Sequence, residues 1–469
     1  MGWRLRVGTT VTTVVALFGG YLAADAYDVV PGLLTMAPAP SPAPPFPTPS
    51  GATLGPEPSP ALPDLSPDAP MPSTPGVGDL VTSLAGDARL GKRVGVLVED
   101  ALTGEVLGGA APDREMVPAS TQKLLTAVAA MVSPGGDVTL PTTAVLEGGS
   151  HVVLVGGGDM MLAAGAGDPE AVNGRAGLGD LADQVASALL VSGDKTVTVG
   201  VDDSLFTGPA IGPTVRPQDA EAGYVAPVAA LAVDIGRLTD DEYAKREQDP
   251  ALAAAQEFAR ALGERGITVR GRVERTAAPS SGRVLGEVRS APLDEIVTDM
   301  LQRSDNTISE VVGRLVAIDA GLPGSADGAI QAVVGAVEDL GVNLDGARLT
   351  DLSGLGQGSR MTARQLVDVL RLTTDPERPE LRDVATGLPV AGLTGTLANR
   401  FPGDHAGRGY VTGKTGSLPN TTGLSGTVLT AEGRLLVFTT LADAVPDGGS
   451  WGARVIFDDF AGRLARCGC

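Results

Sequence analysis

The sequence predicts a segregated α+β sheet domain interrupted by a large mixed α/β insert. Three observations lead there. A strand pair opens the globular part, in "RVGVLVEDALTGEVLGG" around a Thr103-Gly104 turn. Helical patterns dominate from residue 290, and strand-like segments followed by one helix close the chain.

The elements follow in chain order. At the N-terminus, Arg4 and Arg6 precede an uncharged stretch from Val7 to Ala24, just long enough to span a bilayer. Arginines on this side place the remainder outside the cytoplasm. Residues 1–26 are therefore expected to be a membrane anchor, with a signal peptide cleaved near Ala24-Asp25-Ala26 as the alternative. In the second case the protein is secreted. Residues 27–78 form a linker, because Pro38 to Pro75 holds 15 of the chain's 35 prolines. Such a tract buries no core and acts as a semi-rigid spacer reaching on the order of 100 Å.

The first part of the sheet domain occupies 79–140. It includes a helix beginning near Ser120, with Leu124, Leu125, Val128 and Met131 on one stripe. Residues 141–289 form the insert, with strand-like "SHVVLVGGG", "KTVTVGVDDS" and "ITVRGRVERT" among helical "LGDLADQVASALLVSG" and "ALAAAQEFARALGERG". The second part, 290–469, holds the helical "PLDEIVTDMLQRSDNTISEVVGRLVAIDAG" and "TARQLVDVLRLTTD". Strand-like "GYVTGKTG", "TTGLSGTVLT" and "RLLVFTTLAD" follow, and then a last helix, "WGARVIFDDFAGRLAR".

Composition narrows the chemistry. A net charge of −21 argues against a nucleic-acid partner, which needs a basic face. Two cysteines, Cys467 and Cys469, supply neither a disulfide framework nor a zinc set; they are read as a frayed tail, with a strained local disulfide or an intermolecular bridge as the alternative. The two histidines, His151 and His405, lie in a strand-like run and a polar loop, away from any recognisable triad setting. No metal and no cofactor is expected.

Three short motifs occur in order: Ser120-x-x-Lys123, Ser304-Asp305-Asn306 and Lys414-Thr415-Gly416-Ser417. Each is weak alone, since Ser192-Gly193-Asp194-Lys195 also matches the first. Context separates the two. "SGDK" is a turn leading into a strand, whereas "STQK" opens a helix, where residues i and i+3 lie side by side. Serine needs an adjacent base to become a nucleophile. With histidine effectively absent, Lys123 is the candidate, provided its pKa is lowered by burial, a helix N-terminus or a second cation such as Lys414. Gly416 lets a strand approach closely, where a backbone N–H can serve an oxyanion and Lys414, Thr415 and Ser417 can meet a carboxylate. Ser304 and Asn306 would add a hydroxyl and an amide from a turn between helices. As a set, the three motifs are the signature of active-site serine penicillin-recognising enzymes.

Over roughly 79–462 the chain resembles the penicillin-binding proteins that act as D-alanyl-D-alanine carboxypeptidases and endopeptidases, the serine peptidase S13 or PBP4-type family. "GGGDMML" is similar to that family's GGGDPxL, with Met160 for proline. "GYVAPVAALAVDIGR" resembles YxAPVSALxxDxN, with Arg237 at the last position. "DLSGLGQGSRMTARQL" and "LPVAGLTGTLANRF" match two further segments. The resemblance implies a β-lactamase/transpeptidase-like domain, an antiparallel sheet beside a helical lobe, with the insert as separate accessory domains. It implies that Ser120 forms an acyl-enzyme and Lys123 is the base. Ser304 would relay protons and Asn306 hold the lysine and the substrate amide. Lys414, Thr415 and Ser417 would bind the terminal carboxylate, with Gly416 between them, and the N–H groups of Ser120 and Ser417 would form the oxyanion hole. The implied partners are peptidoglycan peptides ending in D-Ala-D-Ala, and β-lactams as covalent inhibitors. A serine β-lactamase shares the motifs. The 184-residue gap between Ser120 and Ser304, and the lack of an E-x-x-L-N stretch after Ser304, count against it. A non-catalytic penicillin-sensing or wall-binding protein on the same scaffold is the other alternative, disfavoured by the complete motif set.

Overall fold

The computed structural model describes residues 67–467 except 280, together with residues 21, 24 and 29. The anchor expected at 1–26 falls almost wholly outside these residues. Among the described residues no helix is long and apolar enough to cross a membrane. The anchor, the membrane partner and the anchored location are accordingly withdrawn.

In chain order the strands are β1 (Val94–Asp100), β2 (Val106–Ala110), β3 (Thr139–Glu147), β4 (His151–Gly156), β5 (Asp159–Leu162), β6 (Thr196–Asp202), β7 (Leu231–Val233), β8 (Thr268–Val269), β9 (Glu274–Arg275), β10 (Arg283–Pro292), β11 (Val411–Leu418), β12 (Thr421–Leu429) and β13 (Leu435–Ala442). They build two large sheets and a small parallel one of β5 and β7. The first is fully antiparallel, in the order β11-β12-β13-β1-β2. It joins the two chain ends of the domain, since β1 lies beside β13 with Val94 opposite Ala442.

Every residue of β1 is buried, which explains why "VGVLVED" shows no polar alternation. Val96 and Val98 face one core, with Val77 and Val81 of the Thr74–Ala85 helix and Phe457 and Phe460 of the Ser450–Ala465 helix. Leu97 faces the other core, formed by the helical lobe. That lobe contains the helices Lys123–Ala130, Leu293–Arg303, Asn306–Asp319, Ala326–Asp339 and Ala363–Thr374.

The second sheet runs β10-β3-β4-β6-β8, with β9 also pairing with β6. It is mixed. β3 pairs antiparallel with β4 and β10, whereas β6 is parallel to β4, β8 and β9. The β4-to-β6 step crosses over through the Leu178–Ser192 helix, as parallel neighbours require. β10 runs straight into the Leu293–Arg303 helix.

Two local details differ from expectation. The Thr74–Ala85 helix begins inside the proline-rich tract, because Ser73 accepts from the Gly76 N–H at 3.2 Å and Pro75 sits in the first turn, where its missing N–H costs nothing. At the other end, Cys467 is buried and disulfide-bonded, so the tail is ordered up to that residue, and Cys469 lies outside the described residues.

The sheet core depends on large side chains shared between layers. Phe438 of β13 is fully buried, and its ring meets that of Phe460 edge to face at 6.5 Å. Phe438→Ala should destabilise the fold by about 3–5 kcal/mol. Urea denaturation would check this, and a loss below 1 kcal/mol would mean the two layers do not depend on that contact.

Candidate active site

Ser120 lies in a 3-10 turn, Ala119–Gln122, that runs directly into the Lys123–Ala130 helix. It is not the side-chain cap its position suggests, since no side chain caps either element. Its hydroxyl instead accepts a hydrogen bond from Lys123 Nζ at 3.0 Å. Two glycines hold the turn from outside. At Gly416 a Cβ would meet Pro118 O at 2.8 Å, so glycine is what lets β11 lie against the turn. Gly354, at φ +77°, sits where a Cβ would meet Ala119 O at 2.0 Å.

Lys123 is fully buried. Besides contacting Ser120, its amine donates to Asn306 Oδ1 at 2.7 Å and to the Ser353 carbonyl at 2.5 Å. Burial lowers its pKa to about 8, against the opposing pull of Asp351, Asp305 and Glu310.

Ser304 ends the Leu293–Arg303 helix in the left-handed conformation, φ +58°. Asp305 caps the next helix by accepting from the Ile308 N–H at 3.0 Å, and it pairs with Arg237 at 3.4 Å. The turn thus delivers Asn306 to Lys123, and the Asn306 amide also donates to the Tyr224 carbonyl at 2.9 Å.

From β11, Lys414 is likewise fully buried, and its amine donates to Ser304 Oγ at 2.8 Å and to Thr415 O at 3.1 Å. Burial, and then the charge of Lys123, push it well below its ordinary value. Thr415 donates to Thr396 Oγ1 at 2.9 Å, and Ser417 Oγ accepts from Arg454 at 3.1 Å. All three motifs therefore converge. Ser120, Ser304, Asn306, Thr415 and Ser417 line one cavity of about 620 Å³, and the two lysines lie behind its wall.

Sequence reasoning missed the loop that completes the site. The Asp351 carboxylate gathers the Gln122 side chain, the Ser353 hydroxyl and the Gly354 and Gly356 N–H groups at 2.7–3.1 Å. Glu310 takes the Leu352 and Ser353 N–H groups at 3.0 and 2.9 Å. Burial and then Asp351 raise its pKa to about 7. The sequence signals for this loop are its glycine-rich "DLSGLGQGS" and the likeness of that segment to the S13 family, neither of which assigns it a role in the site. By contrast, the decoy Ser192 bonds its own helix end and Asp194, with Lys195 exposed. His151 bonds Thr198 at 2.7 Å, His405 packs on Phe401, and neither lines the cavity.

A serine paired with a buried lysine, between an antiparallel sheet and a helical lobe, defines the class of active-site serine enzymes that recognise penicillin. The D-Ala-D-Ala carboxypeptidase 3 (S13) family matches this chain over residues 78–247 and 239–455. The chain belongs to that family. It is 36% identical to carboxypeptidase Rv3627c of Mycobacterium tuberculosis, with 92% of this chain and 90% of the relative covered. Carboxypeptidase DacB of Mycolicibacterium smegmatis is also 36% identical, with 91% and 90% covered. In fold, the chain is similar to penicillin-binding protein 4 of Haemophilus influenzae, at a TM-score of 0.69 and 20% identity over 82% of this chain and 99% of that one.

Asp351→Ala would leave several buried donors unpaired and should cost about 2–4 kcal/mol. It should also slow acylation by a fluorescent penicillin, because the Ser353 carbonyl that holds Lys123 would lose its anchor. Wild-type stability together with wild-type labelling would remove this loop from the site.

Proposed function

We propose that Ser120 is the acylated nucleophile and Lys123 its general base. The enzyme is a serine-type D-Ala-D-Ala carboxypeptidase/endopeptidase of the PBP4 type, which acts through a seryl acyl-enzyme and binds penicillin. One observation carries the assignment of residues: a fully buried amine, 3.0 Å from the Ser120 hydroxyl, with its pKa lowered to about 8.

The free amine of Lys123 takes the hydroxyl proton as Ser120 Oγ attacks the penultimate D-alanine carbonyl. An ester forms, and the C–N bond to the terminal D-alanine breaks. The proton taken by Lys123 passes by way of Ser304, which is bonded to the Lys414 amine, to the leaving nitrogen, and Lys123 is left as the free amine again. Asn306 holds the Lys123 amine on one side and can meet the substrate amide on the other. The oxyanion falls to the N–H groups of Ser120 and Ser417, where β11 meets the turn. Water then attacks the ester, with Lys123 again the base, and releases the shortened peptide. A β-lactam follows the same first step, but its leaving nitrogen stays tethered to the acyl group, so the adduct persists. The segment 141–289 is an accessory insert that supplies Tyr224, Arg216 and Arg237 to the cavity wall.

Lys123→Ala should lower the rates of penicillin acylation and D-alanine release by about 10²–10⁴-fold. In the wild type the free amine is the minority form at pH 7 and dominates above its pKa. Acylation should therefore rise with pH through about 8. Stopped-flow acylation across pH 6–9.5 measures both, and undiminished acylation in the variant would falsify the base assignment.

A further inference from the structure

The leaving D-alanine carries its carboxylate on the carbon next to the scissile nitrogen. A group that recognises that anion must lie beside the β11 edge, close to Ser120. Thr415 and Ser417, two residues apart on the strand, both line the cavity on this side, whereas Lys414, just before them, alternates to the opposite face of the strand. The Lys414 amine is fully buried against Ser304 and does not line the cavity. An accessible cation for the carboxylate must come from elsewhere.

Most arginines of the cavity are already matched. Arg216 pairs with Asp219 at 2.7 Å, Arg237 with Asp234 at 2.9 Å and Arg400 with Asp458 at 2.5 Å. Arg246 is spent on the Gly223 and Ile235 carbonyls. Arg303 shares no hydrogen bond with β11 among the described residues. Arg454 is different. It lies one turn into the last helix, lines the cavity, and forms no ion pair among the described residues. Its guanidinium donates to Ser417 Oγ at 3.1 Å.

On the reading of Ser120 given above, we propose that Arg454 is the specificity-determining cation, receiving the carboxylate of the leaving group together with the Thr415 and Ser417 hydroxyls. The guanidinium fork suits a planar carboxylate, and its bond to Ser417 fixes the angle at which it meets one. Burial and the neighbouring Arg400 charge disfavour the Arg454 cation in the empty site, so an arriving anion relieves both. The backbone carbonyl of Arg454 accepts from Arg400 at 3.2 Å, a contact that a side-chain substitution leaves in place.

The test compares two thioester donors of one D-alanyl peptide, one with thioglycolate as leaving group and one with neutral thioglycolamide. The wild type should prefer the anionic donor. Arg454→Gln should reduce that preference by about 10- to 100-fold, the range of a charge-assisted hydrogen bond, through kcat/KM for the anionic donor. Arg454→Lys should retain part of it. An unchanged preference, or equal losses on both donors, would overturn the role of Arg454 while wild-type turnover leaves the Ser120 reading intact. A wild type inert to both donors and to penicillin would overturn both together.

Discussion

The site depends on keeping a lysine amine out of water beside a serine hydroxyl. A buried ammonium is expensive unless its donors are all used, and Lys123 uses three: Ser120 Oγ, Asn306 Oδ1 and the Ser353 carbonyl. Burial holds its pKa down while Asp351, Asp305 and Glu310 pull it up, and the outcome is an amine that titrates near working pH. Glu310 is itself raised by burial, which softens the negative charge facing the lysine. With fewer carboxylates the amine would lose its support. With a fully charged set it would stay protonated and could not take a proton.

Much of the architecture serves that amine. Its three partners come from a turn, a helix start and a loop far apart in sequence, and the helical lobe brings them together. The sheet closes the other side. Gly416 and Gly354 let β11 and the 351–356 loop approach the Ser120 turn to distances that a side chain would block. Lys414 then reaches Ser304 from the strand, so the second motif is held by both lysines, through Asn306 on one side and Ser304 on the other.

The legible part of the site was the part written in side chains at short spacing. Ser120 and Lys123 could be read because i and i+3 share a helix face, and Gly416 because a strand near a reacting serine needs room. The sheet strands and most helices were readable from their apolar runs. The roles of Asp351 and Ser353 were not, because the loop acts through backbone groups and a carbonyl has no sequence signature. Lys414 was expected to meet a substrate carboxylate; what no spacing told is that its amine is buried and bonds Ser304 Oγ at the back of the cavity. Arg454 was hidden because its partner, Ser417, lies 37 residues away in a different element. The Thr74–Ala85 helix was concealed by prolines that mark a linker in most contexts and a helix start in this one.

The most direct test of the buried-amine claim is to titrate Lys123 itself. In protein carrying ¹³C-labelled lysine side chains, the Lys123 Cε resonance is assigned by its loss in Lys123→Arg and followed from pH 6 to 11. A midpoint near 8 is the expected result. A midpoint near 10.5, the ordinary value for an exposed lysine, would contradict it and leave Ser120 without a base.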